Sequence, residues 1–222
     1  IYEELGKKGW IGEILRSIGV VHKNKGDYEK ALDYFKRSLK IKEEIGDKYG
    51  IGYNLIDIGL TYKDRGDIDT ALDYYERALI IVEELGDKYG MGYNLYNIGL
   101  VHFEKGDYKK VEDYLEKLLA KDKESGLGAD ELIWTTTYLY IAYKHLGKDY
   151  DINQIHTLIN DVENIEFELN LRLYELLEDK SYLETAYDQV QKKASAMEDE
   201  LKLKFLSYPI PKAIVEEWEK VK

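Results

Sequence analysis

Glycine recurs every twenty residues through the first half of the 222-residue chain. The recurring positions are Gly6, Gly26, Gly46, Gly66, Gly86, Gly106 and Gly126, and Asp follows at five of these seven. A glycine just past a helix end can adopt the left-handed conformation that caps the last carbonyls, and Asp suits the N-cap of the next helix. The spacing therefore predicts one helix between each pair of glycines, about 27 Å long at 1.5 Å per residue. Such short corners make neighbouring helices antiparallel.

Alternate helices match each other, so the repeat is forty residues long. The segment GDKYGIGYNLIDIGL from Gly46 returns as GDKYGMGYNLYNIGL from Gly86, and the intervening helices from Asp27 and Asp67 also match. Self-similarity at this period is typical of a solenoid, in which each unit buries its apolar face against its neighbours.

The first helix of each unit has an apolar face with a glycine in the middle. Leu55, Ile58, Gly59 and Tyr62 share one face by their spacing, and this face is predicted to meet the paired helix. Glycine inside a helix costs about 1 kcal/mol relative to alanine, so its recurrence requires a packing reason. We expect close helix approach there, with small residues on the partner helix. The equivalent glycines are Gly19 and Gly99, and the small residues are Ala31, Ser38, Ala71 and Ala78.

These features carry a family resemblance. The runs that begin at Asn54 and Asn94 combine Ile-Gly, a Gly-Asp corner and, from Ala71, Ala-x3-aromatic-x2-Ala, and they resemble the tetratricopeptide repeat. The forty-residue period is similar to the longer subtype joined by Leu-Gly-Asp, as in Pins-type scaffolds and bacterial signalling arrays. The resemblance implies an all-α, right-handed α-solenoid, or superhelix, of antiparallel helix pairs.

The repeat pattern divides the chain into four parts. Residues 1–7 read as the tail of a preceding repeat, which predicts that the chain is a piece of a longer protein. Residues 8–125 give three repeats, residues 126–206 give diverged helical hairpins, and residues 207–222 give a C-terminal capping helix. In the diverged part, Tyr140 stands where a small residue is expected, and one long helix is predicted to run to about Leu206. The prolines predict a last helix from Pro211.

Composition excludes several classes of protein. A net charge of −12 would repel a phosphate backbone, so a nucleic-acid partner is not expected. No apolar run is long enough to span a bilayer and no signal peptide is visible, so no membrane association is expected. Cysteine is absent, which excludes disulfides and suits the cytoplasm.

The sequence offers no catalytic constellation. His22 and His102 occupy the place of Tyr62 in their repeats and are predicted to be core histidines. His145 and His156 have no Cys or HExxH pattern beside them, and the glycines from Gly126 lack the context of a phosphate loop. We therefore expect no enzyme activity, no metal and no cofactor.

The resemblance also implies a concave groove lined by the first helices, which would bind a peptide or partner segment. Its predicted lining changes from mixed charge to aromatic along the array, and an acidic group of the ligand is expected near Arg16, Lys23 or Lys63. Asn97 matches an Asn that in the family often holds a ligand backbone. Trp134 and Lys144 would continue the groove if the fourth unit keeps register. The full predicted lining is Arg16, Val20, Lys23, Tyr53, Ile56, Leu60, Lys63, Tyr93, Tyr96, Asn97, Leu100, Phe103 and Trp134.

Two functions remain open from the sequence. The first is a protein-interaction module, part of a larger signalling or scaffold protein, with a partner segment in the groove. The second is a spacer or self-association element whose groove is filled by its own C-terminal helix or that of a sister chain, which would make a homodimer. The apolar stripe of Ile214, Val215, Trp218 and Val221 motivates the second hypothesis.

Overall fold

A computed structural model describes residues 2–125 and 128–222, and all regular structure in these ranges is α-helical. The chain forms two compact units, Ile1–Lys121 and Asp122–Lys222, which are described separately. The prediction of an all-α protein built from antiparallel helix pairs is confirmed.

Three helix pairs build the first unit. The helices are α1 (Tyr2–Asn24), α2 (Tyr28–Ile45), α3 (Lys48–Arg65), α4 (Ile68–Leu85), α5 (Lys88–Glu104) and α6 (Tyr108–Ser125). Within the unit α1 packs on α2 and α3 on α4, while α2 contacts α3 and α4 contacts α5. Each pair therefore stacks on the next, as in a solenoid.

The glycine corners have the predicted backbone conformation. Gly46, Gly66 and Gly86 are left-handed, with φ of 69°, 90° and 65°, and each caps the helix before it. The Asp that follows each of them accepts a hydrogen bond from a backbone N–H three residues later. Each corner thus ends one helix and starts the next with local interactions alone.

Three predicted corners differ from this pattern or cannot be compared with it. Asp27 makes no cap hydrogen bond, because its carboxylate accepts from Lys30 and lies 3.3 Å from Nδ1 of His22. Gly6 lies inside α1, so the prediction of a helix end there is wrong. Gly6 is exposed, and a Cβ atom on it would meet nothing within 4 Å. No neighbouring side chain therefore forces the helix to end at this residue. Gly126 lies outside the described residues.

The mid-helix glycines explain how paired helices approach each other. A Cβ atom on Gly19 would lie 2.6 Å from the ring of Phe35, and one on Gly99 would lie 2.5 Å from Leu115. The predicted close approach is confirmed, but its cause differs from the expectation. A large side chain of the second helix lies directly over the glycine, and Phe35 does so between the small residues Ala31 and Ser38.

From residue 128 onward the structure describes six helices, most of them shorter than those of the first unit. They are α7 (Ala129–Leu146), α8 (Ile152–Asp161), α9 (Phe167–Leu177), α10 (Lys180–Ser195), α11 (Asp199–Leu206) and α12 (Pro209–Val221). Helix α7 packs on α8 and α9, α9 packs on α10, and α10 contacts α11 and α12. Tyr140 is buried and its hydroxyl donates to Gln154 Oε1 across 2.6 Å, so this bulky residue is accommodated against the start of α8.

The expected long helix ending near Leu206 is two helices. An unbroken helix would place Phe205 about 16 Å further along the axis than Ala194. Both residues instead share one core cluster with Val190 and Ile214, and the chain breaks after Ser195 to bring them together. The last helix starts at Pro209, two residues before the predicted start at Pro211.

The apolar stripe of α12 is used inside the second unit. Ile214 is fully buried, and Val215, Trp218 and Val221 pack against the same cluster. The ring of Trp218 stacks on Tyr187 with centroids 5.4 Å apart. The feature that motivated a homodimer through the C-terminal helix is therefore accounted for by packing within the chain.

Candidate binding face on the first unit

The predicted lining of the first unit lies on three neighbouring helices. Helix α3 contacts both α1 and α5, so the first helices of the three pairs are adjacent. We call this surface the first-helix face and define it by the residues that remain at least partly exposed. They are Arg16, Val20, Lys23, Tyr53, Leu60, Lys63, Tyr93, Tyr96, Leu100 and Phe103.

Every predicted cation of this face is paired with a carboxylate on the first helix of the following helix pair. Arg16 Nε lies 2.5 Å from Asp57 Oδ2, and Lys23 Nζ lies 3.4 Å from Asp64 Oδ2. Lys63 Nζ lies 3.9 Å from Glu104 Oε1. All three pairs join residues 41 positions apart, because successive first helices stack in the same way. A ligand's acidic group would have to displace a carboxylate that is already present.

The Arg16–Asp57 pair is the most buried of the three. Asp57 is 7% exposed, and burial raises the pKa of its carboxyl group although Arg16 favours the charged form. The Arg16 guanidinium also lies 5.6 Å from the ring centroid of Tyr53. The pair therefore links α1 to α3 through both charge and ring contact.

Two predicted lining residues do not reach the surface. Ile56 is 3% exposed and packs in the core cluster that contains Leu55 and Ile58. Asn97 is 4% exposed, and its Nδ2 donates to the carbonyl of Tyr93 across 2.7 Å. Both side chains are therefore covered in the free protein, Ile56 by a core cluster that includes residues of α2. Their assignment to the binding groove stays a prediction.

Tyrosine dominates the rest of the first-helix face, and the exposed residues Tyr49 and Tyr89 extend this face at the start of α3 and α5. Tyr93 is 39% exposed, and its ring lies 6.5 Å from that of Tyr89, which is 73% exposed. One repeat earlier the rings of Tyr49 and Tyr53 lie 4.7 Å apart, and Tyr49 is 56% exposed. Tyr49 and Tyr89 were absent from the predicted lining, although each stands one helical turn before a predicted tyrosine.

The carboxylate of Asp87 accepts a hydrogen bond from the first tyrosine pair. The hydroxyl of Tyr53 donates to Asp87 Oδ2 across 3.1 Å, while Asp87 Oδ1 accepts from the backbone N–H of Gly90. Asp87 stands two residues before Tyr89. Burial, the hydrogen bond with Tyr49 and the nearby Asp87 charge raise the pKa of Tyr53, so its hydroxyl stays protonated and acts as a donor.

The remaining predicted positions, Trp134 and Lys144, lie in the second unit. Trp134 is partly buried in α7. Lys144 Nζ donates to the carbonyls of Glu175 and Leu176 and pairs with the carboxylate of Glu178. Lys144 thus satisfies the C-terminal end of α9, which explains its position without a ligand.

The histidines of the repeats form stacked pairs with tyrosines. His22 stacks on Tyr34 at 5.4 Å, as Tyr62 does on Tyr74 at 5.5 Å. His102 is 3% exposed and stacks on Tyr114 at 5.7 Å, so its prediction as a core histidine is confirmed. Within residues 2–125 and 128–222, no group of three His, Cys, Asp or Glu side chains could hold a metal ion.

An open pocket of about 360 Å³ lies between α9 and α12. Its charged side chains pair within their own helices. Arg172 pairs with Glu175 at 2.7 Å, Lys220 with Glu217 at 2.9 Å, and Glu216 with Lys212 at 3.7 Å. This pairing leaves the pocket with no dominant charge to select a ligand.

Comparison with known proteins identifies the repeats. Residues 12–45 and 51–124 match models of the tetratricopeptide repeat, so these stretches are tetratricopeptide repeats, which are generally protein–protein interaction modules. A comparison with curated protein sequences gives no significant match. In the part of the chain that the structure describes, no helix combines the length and apolarity that a membrane crossing requires.

Solved structures share the fold. The chain is similar to the apo form of RapI, with a TM-score of 0.73 at 15% identity over 96% of this chain and 66% of that one. It is also similar to aspartyl phosphate phosphatase F from Bacillus subtilis, with a TM-score of 0.70 at 17% identity over 96% of this chain and 60% of that one. This chain thus spans less than two thirds of either protein. A putative kinesin light chain of Podosopora anserina with TPR-like repeats gives a TM-score of 0.56 at 11% identity, covering 95% and 97%. The predicted TPR-like solenoid is confirmed.

Proposed function

We propose that the first unit binds a segment of a partner protein on its first-helix face, and that the chain acts in a signalling or scaffold protein by binding rather than by catalysis. The observation that carries this proposal is two tyrosine pairs, Tyr49 with Tyr53 and Tyr89 with Tyr93, repeated at the forty-residue period, each with at least one exposed ring. Tyrosine offers a large apolar ring with a polar tip and is enriched among residues that dominate interface energy.

The exposure of these rings supports binding over packing. Tyr89 and Tyr49 are 73% and 56% exposed, whereas tyrosines with a packing role, such as Tyr75 and Tyr138, are 0% and 3% exposed. An exposed ring contributes little to the stability of the free protein. When a partner covers the ring, its apolar surface is removed from water, and this contributes favourably to the free energy of binding.

The similarity to RapI and to the aspartyl phosphate phosphatase concerns the helical fold of this chain. It does not extend to their activities, because identities of 15% and 17% establish a shared fold alone. Function depends on the residues of a site and not on the fold that holds it.

Peptide selection on the immobilised chain tests the proposal. A random displayed library would be enriched on the whole chain, and the affinity of the selected peptides would be measured by isothermal titration. We expect the double variant Tyr93→Ala/Tyr96→Ala to weaken binding by about tenfold or more, as for central aromatic contacts in other interfaces. Circular dichroism would establish that helicity is retained.

Tyr208→Ala provides the matched control, since Tyr208 is 46% exposed and belongs to the second unit. It should leave peptide affinity unchanged. Unchanged affinity in the Tyr93/Tyr96 variant, or an equal loss in the control, would contradict binding at the first-helix face.

A further inference from the structure

A buried lysine, Lys42, pairs with the carboxylate that caps α3. Lys42 is 3% exposed, and its Nζ lies 2.9 Å from Asp47 Oδ2 and 2.6 Å from Glu13 Oε1. Asp47 also caps α3 by accepting from the N–H of Gly50. At this junction the cap carboxylate is neutralised by an ammonium group from the preceding second helix.

One repeat later the same carboxylate has no internal cation. Val82 stands where the first junction has Lys42, and Tyr53 stands where it has Glu13. The cap residue Asp87 is retained, and it accepts from Gly90 N and from the Tyr53 hydroxyl. Among residues 2–125 and 128–222, no Lys, Arg or His forms an ion pair with Asp87.

The surroundings of Asp87 are also suited to a cation. Tyr53 contacts the carboxylate directly, Tyr49 lies beside Tyr53, and Tyr89 follows Asp87 by two residues. The rings of Tyr49 and Tyr89 are largely exposed. The negative face of an aromatic ring attracts ammonium and guanidinium groups. Arg16 already lies over the ring of Tyr53, so it is the exposed rings of Tyr49 and Tyr89 that favour the same kind of ligand as the carboxylate.

We propose that Asp87, with Tyr49, Tyr53 and Tyr89, receives the side chain of a lysine or arginine in the bound partner segment. The proposal rests on the proposed function and specifies the chemistry of the partner. It also reverses the charge expected from the sequence, because the cations that would attract an acidic ligand are already paired within the face. The net charge of −12 favours approach of a basic segment as well.

Paired small-molecule probes can test this site in the whole chain. Acetyl-arginine amide carries the guanidinium group, and acetyl-citrulline amide is its uncharged analogue of nearly the same shape. Each would be titrated into ¹⁵N-labelled protein at fixed ionic strength while the amide resonances are followed by NMR. We expect the arginine probe to shift the resonances of Asp87, Tyr89 and Gly90 in a saturable way, and the citrulline probe to shift them little.

Substitution of the carboxylate provides the second arm. Asp87→Asn keeps a good N-cap residue and should weaken the arginine probe by about fivefold. Asp67→Asn changes an equivalent cap that accepts from Thr70 N and should leave probe binding unchanged. Should Asp87→Asn fail to fold, Tyr89→Ala removes an exposed ring instead and should weaken the probe by about twofold.

The cation site would be overturned by equal shifts from both probes or by shifts elsewhere in the chain. It would also be overturned if the arginine probe bound Asp87→Asn as tightly as the parent. Where that variant does not fold, undiminished binding to Tyr89→Ala would have the same meaning. The proposed function fails separately. If the probes do not bind near Asp87 but Tyr93→Ala/Tyr96→Ala still weakens the selected peptides, only the cation site is lost. If the probes bind while that double variant has no effect on peptides, binding along the first-helix face is contradicted.

Discussion

Two ring carbons of Tyr75 lie 2.8 Å from the point at which Gly59 would carry a Cβ atom. The carbonyl oxygen of Ala71 lies 3.3 Å from the same point, and Tyr75 is completely buried. Neither the ring nor the backbone can therefore move aside easily. The absence of a side chain at Gly59 sets the distance between α3 and α4.

Gly59→Ala should destabilise the protein despite the better helix propensity of alanine. Alanine gains about 1 kcal/mol in a helix, but overpacking a rigid core costs about 1–3 kcal/mol. We expect a net loss of about 1 kcal/mol in the free energy of unfolding, measured by urea denaturation followed by circular dichroism.

Gly6→Ala is the control for that substitution. Gly6 also lies within a helix, but an added Cβ would meet nothing within 4 Å. This variant should be about as stable as the parent or more stable by up to about 0.5 kcal/mol. A Gly59→Ala protein as stable as Gly6→Ala would show that the core yields to the extra methyl group.

Tyr75→Phe should increase stability. The Tyr75 hydroxyl is buried and has no hydrogen-bond partner among the described residues, and leaving such a group unpaired costs about 1–3 kcal/mol. Phe35 fills the equivalent place in the preceding repeat, so the ring without its hydroxyl is compatible with this packing. We expect the unfolding free energy to rise by about 1 kcal/mol in denaturant titration. A loss of stability would reveal a partner for the hydroxyl, such as a buried water.

Local features of the fold could be predicted from the sequence because their causes are local. The Gly-Asp corners depend on backbone conformation and on a cap hydrogen bond within three residues, as at Gly46 and Asp47. The break after Ser195 had no such signal, since neither Gly nor Pro occurs there. It depends on Phe205 returning to a core formed by other helices.

The candidate site was predicted only in part for a related reason. Its helices and its tyrosine character follow from the repeat, but the state of each charge depends on side chains of the neighbouring helix. The sequence predicts Arg16 to be a free cation. It pairs with Asp57 only because α1 stacks on α3 in the folded chain. Tyr49 lies outside the predicted lining because the family pattern of the groove starts at Tyr53, whereas α3 begins at Lys48.

Arg16→Ile and Asp57→Asn test how much the buried ion pair contributes, because the next repeat has Ile56 and Asn97 at these positions. Arg16→Ile alone leaves Asp57 buried without its cation and should cost about 2 kcal/mol, less than the loss for a fully buried pair because Arg16 is 30% exposed. The double variant should recover most of this loss, since it reproduces the adjacent junction.

The comparison is a double-mutant cycle with urea denaturation of the parent, both single variants and the double variant. Recovery in the double variant indicates that the pair mainly satisfies buried charge. Additive losses from the two single variants would contradict that view and would assign each residue an independent packing role.

His102→Tyr should remove a pH dependence of stability. Burial is the main cause that lowers the pKa of His102, and Lys110 lowers it further, with Lys105 acting in the same direction and Asp107 and Glu76 opposing. The unfolded chain therefore binds a proton at higher pH than the folded protein does. The unfolding free energy should fall as pH decreases from about 6.5, the ordinary pKa of histidine, towards the lower pKa of His102 in the folded protein.

Tyrosine at position 102 should keep the ring stack, as Tyr62 does on Tyr74. It should flatten the dependence of the unfolding free energy on pH in urea titrations between about pH 5 and 7. An unchanged slope in the variant would place the pH dependence on another group.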